Sequence, residues 1–297
     1  MKSKFVFRVL FSFVVCSFAQ AEIRNTLITP RGKALIILSS QAQLGSSEHK
    51  TGVWLPDATH PYFALLNAGF ETDFASPKGG AVPIELRSDP RNMNAMNADD
   101  AITLGFVSNP RTLEKLNNTL KLSDVQAKNY STVIFVGGLA AMYDLPNDPD
   151  LPRLFKEFWT QNKIVGAIGY GTYALLKMKT PSGRDLIRGA EMSAISKEEE
   201  QKMAQLMGWD VALLAPKGFL QDLIKKEGAG YKSGPAFTSF VHEGVQKHFI
   251  SAQQSFSGME LGLRVAKLLT GKPLKPVVPK TEKFIKPRSA SFKQPVN

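Results

Sequence analysis

The chain repeats one unit: a short apolar run rich in branched residues, a glycine or polar turn, then a stretch with helical spacing. Residues 33–40 (KALIILSS) follow Gly32 and read as a buried strand. Residues 61–69 have helical spacing and a glycine stop. Residues 70–76 form a second strand, closed by Pro77-Lys78-Gly79-Gly80. Residues 131–136 form a third, running into Gly137-Gly138, and residues 151–161 read as helix. Residues 163–168 (KIVGAI) form a fourth, followed at once by Gly169-Tyr170-Gly171 and a helix to about Lys177. Beyond it, 211–214 reads as strand, 217–227 as helix, 237–242 and 247–252 as strands, and 256–269 as helix. This alternation predicts an α/β fold with a mainly parallel central sheet covered on both faces. Chemistry in such folds sits at the carboxyl ends of strands, here the loops after residues 40, 136 and 168.

The ends have a different character. Residues 1–21 read as a secretory signal: Lys2, Lys4 and Arg8, an apolar run from Val9 to Phe18, then Ala19-Gln20-Ala21. The run is short for a bilayer span. Val15 stands before Cys16, where a lipoprotein signal wants a small residue. Cys16 is the only cysteine, so a cleaved chain would have none; this excludes disulfide frameworks, zinc–thiolate sites and iron–sulfur clusters. A periplasmic or secreted location follows as an expectation. Residues 271–297 hold seven Lys/Arg against one Glu, and the whole chain carries +11. The basic excess therefore lies mostly in a Pro-rich tail, and the body, residues 22–270, is close to neutral. The tail suits contact with an anionic surface or simple solvation. No basic-aromatic stripe points to specific nucleic-acid recognition.

Residues 51–55 (TGVWL), His60-Pro61-Tyr62 and 69–80 (GFETDFASPKGG) resemble the ThiJ/PfpI superfamily, in the branch of heat-shock chaperone and glyoxalase III proteins. Phe135-Val136-Gly137-Gly138 with 142–146 (MYDLP) is similar to that branch's second motif. The resemblance spans about residues 33–270 and implies a flavodoxin-like three-layer sandwich, also called the class I glutamine amidotransferase-like fold. It implies a reactive Cys and a His in the sharp turn after the fourth strand, where this chain has Gly169 and Tyr170. The family's acid falls at Asp57, a shorter residue than the family's Glu. The His of the family's Gly-Gly-His-Gly is absent from Gly137-Gly138-Leu139-Ala140, and a late Asn-Pro falls at about Gln254-Ser255. A glycine cannot attack a carbonyl, and a tyrosine near its ordinary pKa of ~10 is protonated at neutral pH. Glycine also relieves the backbone strain of such an elbow.

The candidate pocket residues are thus Asp57, His60, Gly169 and Tyr170, expected to converge on Gly169, with Gly137, Gly138 and Gly171 as ligand-binding glycines. Thr172 and Tyr173 read as helix-start and packing residues, and His60 as a structural hydrogen-bonding residue near the pocket. His242 and His248 read as surface residues flanking a hairpin turn, and Glu198-Glu199-Glu200 as a solvated helix face. No His/Asp/Glu set has metal-ligand spacing, and no cofactor is expected. Two readings stay open. One is an exported family member without cysteine-dependent activity, binding a small carbonyl or amide ligand or a protein partner, with a stress-related or chaperone-like role. The other is a glyoxalase III-like lyase (methylglyoxal to lactate) or amidohydrolase using Asp57 and Tyr170, with His60 as a third candidate. A homodimer is compatible with either.

Overall fold

The computed structural model describes residues 30–244 and 248–272. The signal segment, Cys16 and nearly all of the basic tail lie outside the described residues. Nine strands are described: β1 (Lys33–Ile37), β2 (Glu71–Ser76), β3 (Leu120–Lys121), β4 (Thr132–Phe135), β5 (Ile164–Ile168), β6 (Glu191–Met192), β7 (Gly230–Tyr231), β8 (Val241–Glu243) and β9 (Phe249–Ala252). The α-helices are α1 (Leu55–Asn67), α2 (Ala101–Ser108), α3 (Pro110–Asn117), α4 (Ala141–Asp144), α5 (Leu151–Thr160), α6 (Lys197–Met207), α7 (Val211–Leu214), α8 (Leu220–Lys226) and α9 (Gly258–Thr270). Seven strands form one sheet in the order β3-β2-β1-β4-β5-β9-β8, and β6 pairs with β7 apart from it. Within the large sheet only the β8–β9 pair is antiparallel. The mainly parallel three-layer α/β sandwich expected from the sequence is the fold observed.

The central strands are apolar on both faces because both are covered. Leu35, Ile37, Val133, Phe135, Val165 and Ala167 point into one core with α5 and the 186–231 region. Ala34, Ile36, Ile134, Ile164 and Ile168 point into the other, with α1 and α9. This alternation is what two-sided burial demands of a parallel strand.

Three local readings need correction. Residues 211–214 are a helical turn, not a strand: Asp210 accepts from the Ala212 N–H and caps it. The helix assigned to 61–69 begins six residues earlier, at Leu55, with Pro56 in its first turn and Pro61 inside it. Pro56 misses no bond there, since first-turn N–H groups have no intrahelical partner. Glu199 and Glu200 are fully buried rather than solvated, while Glu198 is exposed and pairs with Lys202. Glu200 accepts from the Leu220 N–H, and Glu199 is engaged by the capping box of α6. The Ser196 hydroxyl accepts from the Glu199 N–H, and the Glu199 carboxylate reaches back to the Ser196 N–H. That tie turns the start of α6 inward.

Candidate functional site

The site lies at the carboxyl ends of β4 and β5. The chain leaves β5 at Ile168 and enters a short 3₁₀ helix, Gly169–Leu175. Gly169 has φ +54°, the left-handed conformation that a side chain disfavours. The sharp turn is therefore kept at the position where the resemblance implies a nucleophile, and its residue has no side chain.

Asp57 arrives from the other direction on α1. Helices α1 and α9 approach closely, and Gly262 permits it: a Cβ there would stand 2.5 Å from Ala64 Cβ and 2.8 Å from Pro61 Cα. Asp57 is 3% exposed, and its carboxyl lies across Gly137 and Gly169. A Cβ on Gly137 would run into Asp57 Oδ2, whereas one on Gly169 would stand 3.4 Å from that oxygen. The first glycine makes room for the acid, and at the second a methyl group would meet the carboxyl at ordinary van der Waals contact. Asp57 Oδ1 is buried without a hydrogen-bond partner. Burial pushes the Asp57 pKa up to about 7, opposed by the Ser255 hydroxyl and the charge of His60.

The expected convergence is only partly realised. His60, one turn along α1, hydrogen-bonds through Nε2 to Asp100 Oδ2 at 2.9 Å. Asp100 is held in turn by capping α2 and by the Thr103 hydroxyl at 2.6 Å. His60 thus fills the structural role expected of it and is turned from Gly169. Tyr170 extends into the opposite core, where its ring stacks on Tyr173 with centroids 6.2 Å apart. Its hydroxyl is buried without a partner of good geometry, and burial with the facing Glu200 carboxyl holds its pKa well above the ordinary value. Among the three expected side chains, Asp57 alone reaches the turn. Gly138 and Gly171 are closely approached by backbone, Gly138 by Gly52 and Trp54 and Gly171 by Phe135, so neither has room for a side chain. His242 is half-buried rather than a surface residue, with Nε2 3.6 Å from Glu191.

Sequence reasoning missed two residues behind the turn. Burial raises the Glu200 pKa to about 8, opposed by the Leu220 N–H and Tyr170. Glu199 instead accepts from Ser196 N and Oγ, Phe237 N, Gln253 Nε2 and Gln254 Nε2, all within 3.0 Å. It thereby ties α6 to Gln253-Gln254, the segment that stands 3.9 Å from the Gly169 Cβ position. The available signal was the Ser-x-x-Glu pattern at 196–199, which marks a helix start and a carboxylate already engaged.

Arranged this way, the site offers one buried acid able to exchange a proton near neutral pH, beside a glycine where the resemblance implies the nucleophile. Comparison with known proteins places it. Glutathione-independent glyoxalase hsp3102 of Schizosaccharomyces pombe is 29% identical over 157 residues, covering 52% of this chain and 63% of that protein. Glutathione-independent glyoxalase HSP31 of Saccharomyces cerevisiae is 28% identical over 204 residues, covering 67% of this chain and 82% of that protein. Among solved structures, the Rapid Encystment Protein REP24 of Francisella tularensis superposes with TM-score 0.70 at 28% identity, covering 80% of this chain and 99% of that one. Glyoxalase III of Candida albicans shares the fold at TM-score 0.65 and 20% identity, covering 82% of this chain and 99% of that one. The DJ-1/PfpI family model matches residues 51–205, just over half of the sequence, and the chain belongs to that family.

Proposed function

We propose that this protein keeps the family's pocket but not its cysteine-dependent reaction, and that it binds a small ligand in front of Asp57. One observation carries the reading. Position 169 holds the backbone of the elbow with a glycine, and a buried carboxyl lies 3.4 Å from where a side chain would begin. A thiolate mechanism needs sulfur at that point. The only cysteine in the sequence is Cys16, in the segment that reads as a signal. We also propose export from the cytoplasm, on the strength of that segment. N-terminal sequencing of the protein recovered from cells tests it.

A second reading has its own support. The relatives are named as glutathione-independent glyoxalases, and their names favour turnover of an α-oxoaldehyde. Asp57, with a pKa of about 7, has the proton affinity that a general acid or base needs at neutral pH. Incubating purified protein with methylglyoxal and following lactate by NMR separates the two. The first reading expects no turnover above the buffer rate, and turnover abolished by Asp57→Ala establishes the second. Gly169→Cys returns sulfur to the elbow beside Asp57, and gain of methylglyoxal turnover in that variant supports the first.

A further inference from the structure

Among the described residues sulfur occurs only in methionine, since the one cysteine is Cys16. The described methionines differ widely in exposure. Met142, Met178 and Met192 are buried, and Met203, Met207 and Met259 are half-buried. Met93 is 94% exposed and Met96 44% exposed. These two lie three residues apart in one loop, between the 3₁₀ turn Leu86–Ser88 and α2.

The loop is held without its thioethers. Arg91 pairs with Asp89 at 2.6 Å. Asn92 Nδ2 donates to the Leu86 carbonyl at 3.1 Å, and Asn97 Nδ2 to the Ser88 carbonyl at 3.0 Å. The Met96 N–H donates to the Arg87 carbonyl at 2.8 Å. These bonds fold the loop back on itself and use no sulfur. Three large apolar side chains, Leu86, Met93 and Met96, are thus exposed on one short closed segment. Met207 is placed differently. Its sulfur accepts from Arg87 Nη1 at 3.6 Å, and the same guanidinium lies 4.1 Å above the Trp209 ring. A thioether lone pair turned to solvent is open to an oxidant, whereas one engaged or buried is shielded. The sulfoxide that forms is polar and is reduced back enzymatically.

We propose that Met93 and Met96 form an oxidation site for hydroperoxides, where a reversible sulfoxide turns an apolar loop polar and leaves the fold intact. In each event a sulfur lone pair attacks the terminal peroxide oxygen. The S–O bond forms as the O–O bond breaks, and the hydroxyl proton passes to the leaving oxygen, which departs as water or an alcohol. Sulfur gives up two electrons and the peroxide takes them. The proposal stands apart from the reading of the elbow and asks nothing of Asp57.

Full-length protein treated with hydrogen peroxide and followed by peptide mass spectrometry tests it. Met93 and Met96 are expected to gain oxygen before any other described methionine, at least about tenfold faster than Met142, Met178 and Met192. The urea midpoint of protein modified only at these two positions is expected to match that of the parent. Its retention on a hydrophobic-interaction column should fall, and methionine sulfoxide reductases should restore it. Met93→Leu combined with Met96→Leu keeps the apolar surface without the sulfur, so its retention should not move with peroxide. Equal oxidation rates at Met93 and the buried methionines overturn the proposal. So does a lowered urea midpoint after modification at Met93 and Met96 alone. Retention that the reductases fail to restore, or that falls equally in the double leucine variant, overturns it as well.

Discussion

Asp57 and Glu199, two of the three buried carboxyls around the elbow, are treated in opposite ways. Glu199 collects five donors from four residues and fixes α6 to the end of β9. Asp57 is pressed to a comparable depth against the ends of β4 and β5, and its Oδ1 has no partner. A carboxylate that serves architecture is saturated, because each unmet hydrogen bond in a low-dielectric interior costs free energy. A carboxyl left unmet costs stability unless something from outside completes it. Asp57 shares its unmet oxygen with Glu200, whose Oε1 is also buried without a hydrogen-bond partner, and the contrast with Glu199 can be attacked from either side.

The largest effect belongs to Asp57. Its folded pKa, about 7, lies above the ordinary 3.8. Below pH 4 both folded and unfolded chains hold the proton, and nothing is lost. Between about 4 and 7 the unfolded chain releases it while the folded chain keeps it, so stability falls as pH rises. The full loss is on the order of 4 kcal/mol, at 1.36 kcal/mol for each tenfold difference in proton affinity. Glu200, raised to about 8, adds a loss of the same sign. Asp57→Asn removes only the first contribution. Urea denaturation of parent and variant at pH 4, 6 and 8 should show the variant gaining on the parent as pH rises. If the two fall in parallel, burial does not hold the proton on Asp57 and the contrast dissolves.

The saturated partner comes next. Glu199→Gln replaces a carboxylate with an amide whose NH₂ group faces donors, stranding at least one of Phe237 N, Gln253 Nε2 or Gln254 Nε2. The expected destabilisation is about 3 kcal/mol, seen as a lowered urea midpoint at every pH from 5 to 8. A neutral outcome would mean that the network holds nothing together.

How much of this was legible in the sequence differs along the chain. The runs that became β1, β2, β4 and β5 could be read because two-sided burial leaves them apolar at every position. The start of α1 was not, since Pro61 imitates a helix start and only packing against α9 shows that it lies inside one. Local pattern also failed at Glu198-Glu199-Glu200. Three adjacent acids look alike in sequence, and which ones turn inward is decided by Ser196 and by Gln253-Gln254, more than fifty residues away. At the site, the family resemblance located Gly169 and Asp57. The direction of Tyr170 could not be read, because a residue in a tight turn can enter either core.

The two glycines beneath Asp57 sharpen the contrast further. Gly137 has no room: a Cβ there meets Asp57 Oδ2, the Ile168 carbonyl at 2.9 Å and Tyr170 N at 3.1 Å. Two of these neighbours are backbone and cannot swing aside, so Gly137→Ala should cost about 2–3 kcal/mol and displace the acid. Calorimetric unfolding together with the pH profile of stability would show both effects, since a displaced carboxyl returns toward its ordinary titration.

Gly169→Ala should have the smallest effect, although it touches the same carboxyl. Its nearest neighbour would be 3.4 Å away, ordinary contact, so the cost is confined to placing an L-residue at φ +54°. That is roughly 1–2 kcal/mol. Measured side by side, the two alanine variants should therefore differ by about 1 kcal/mol in unfolding free energy, with only Gly137→Ala altering the titration of Asp57. The sign of the difference matters more than its size. If Gly169→Ala proves the costlier change, the space before Asp57 is already filled by protein, and the carboxyl has no opening through which a ligand could complete it.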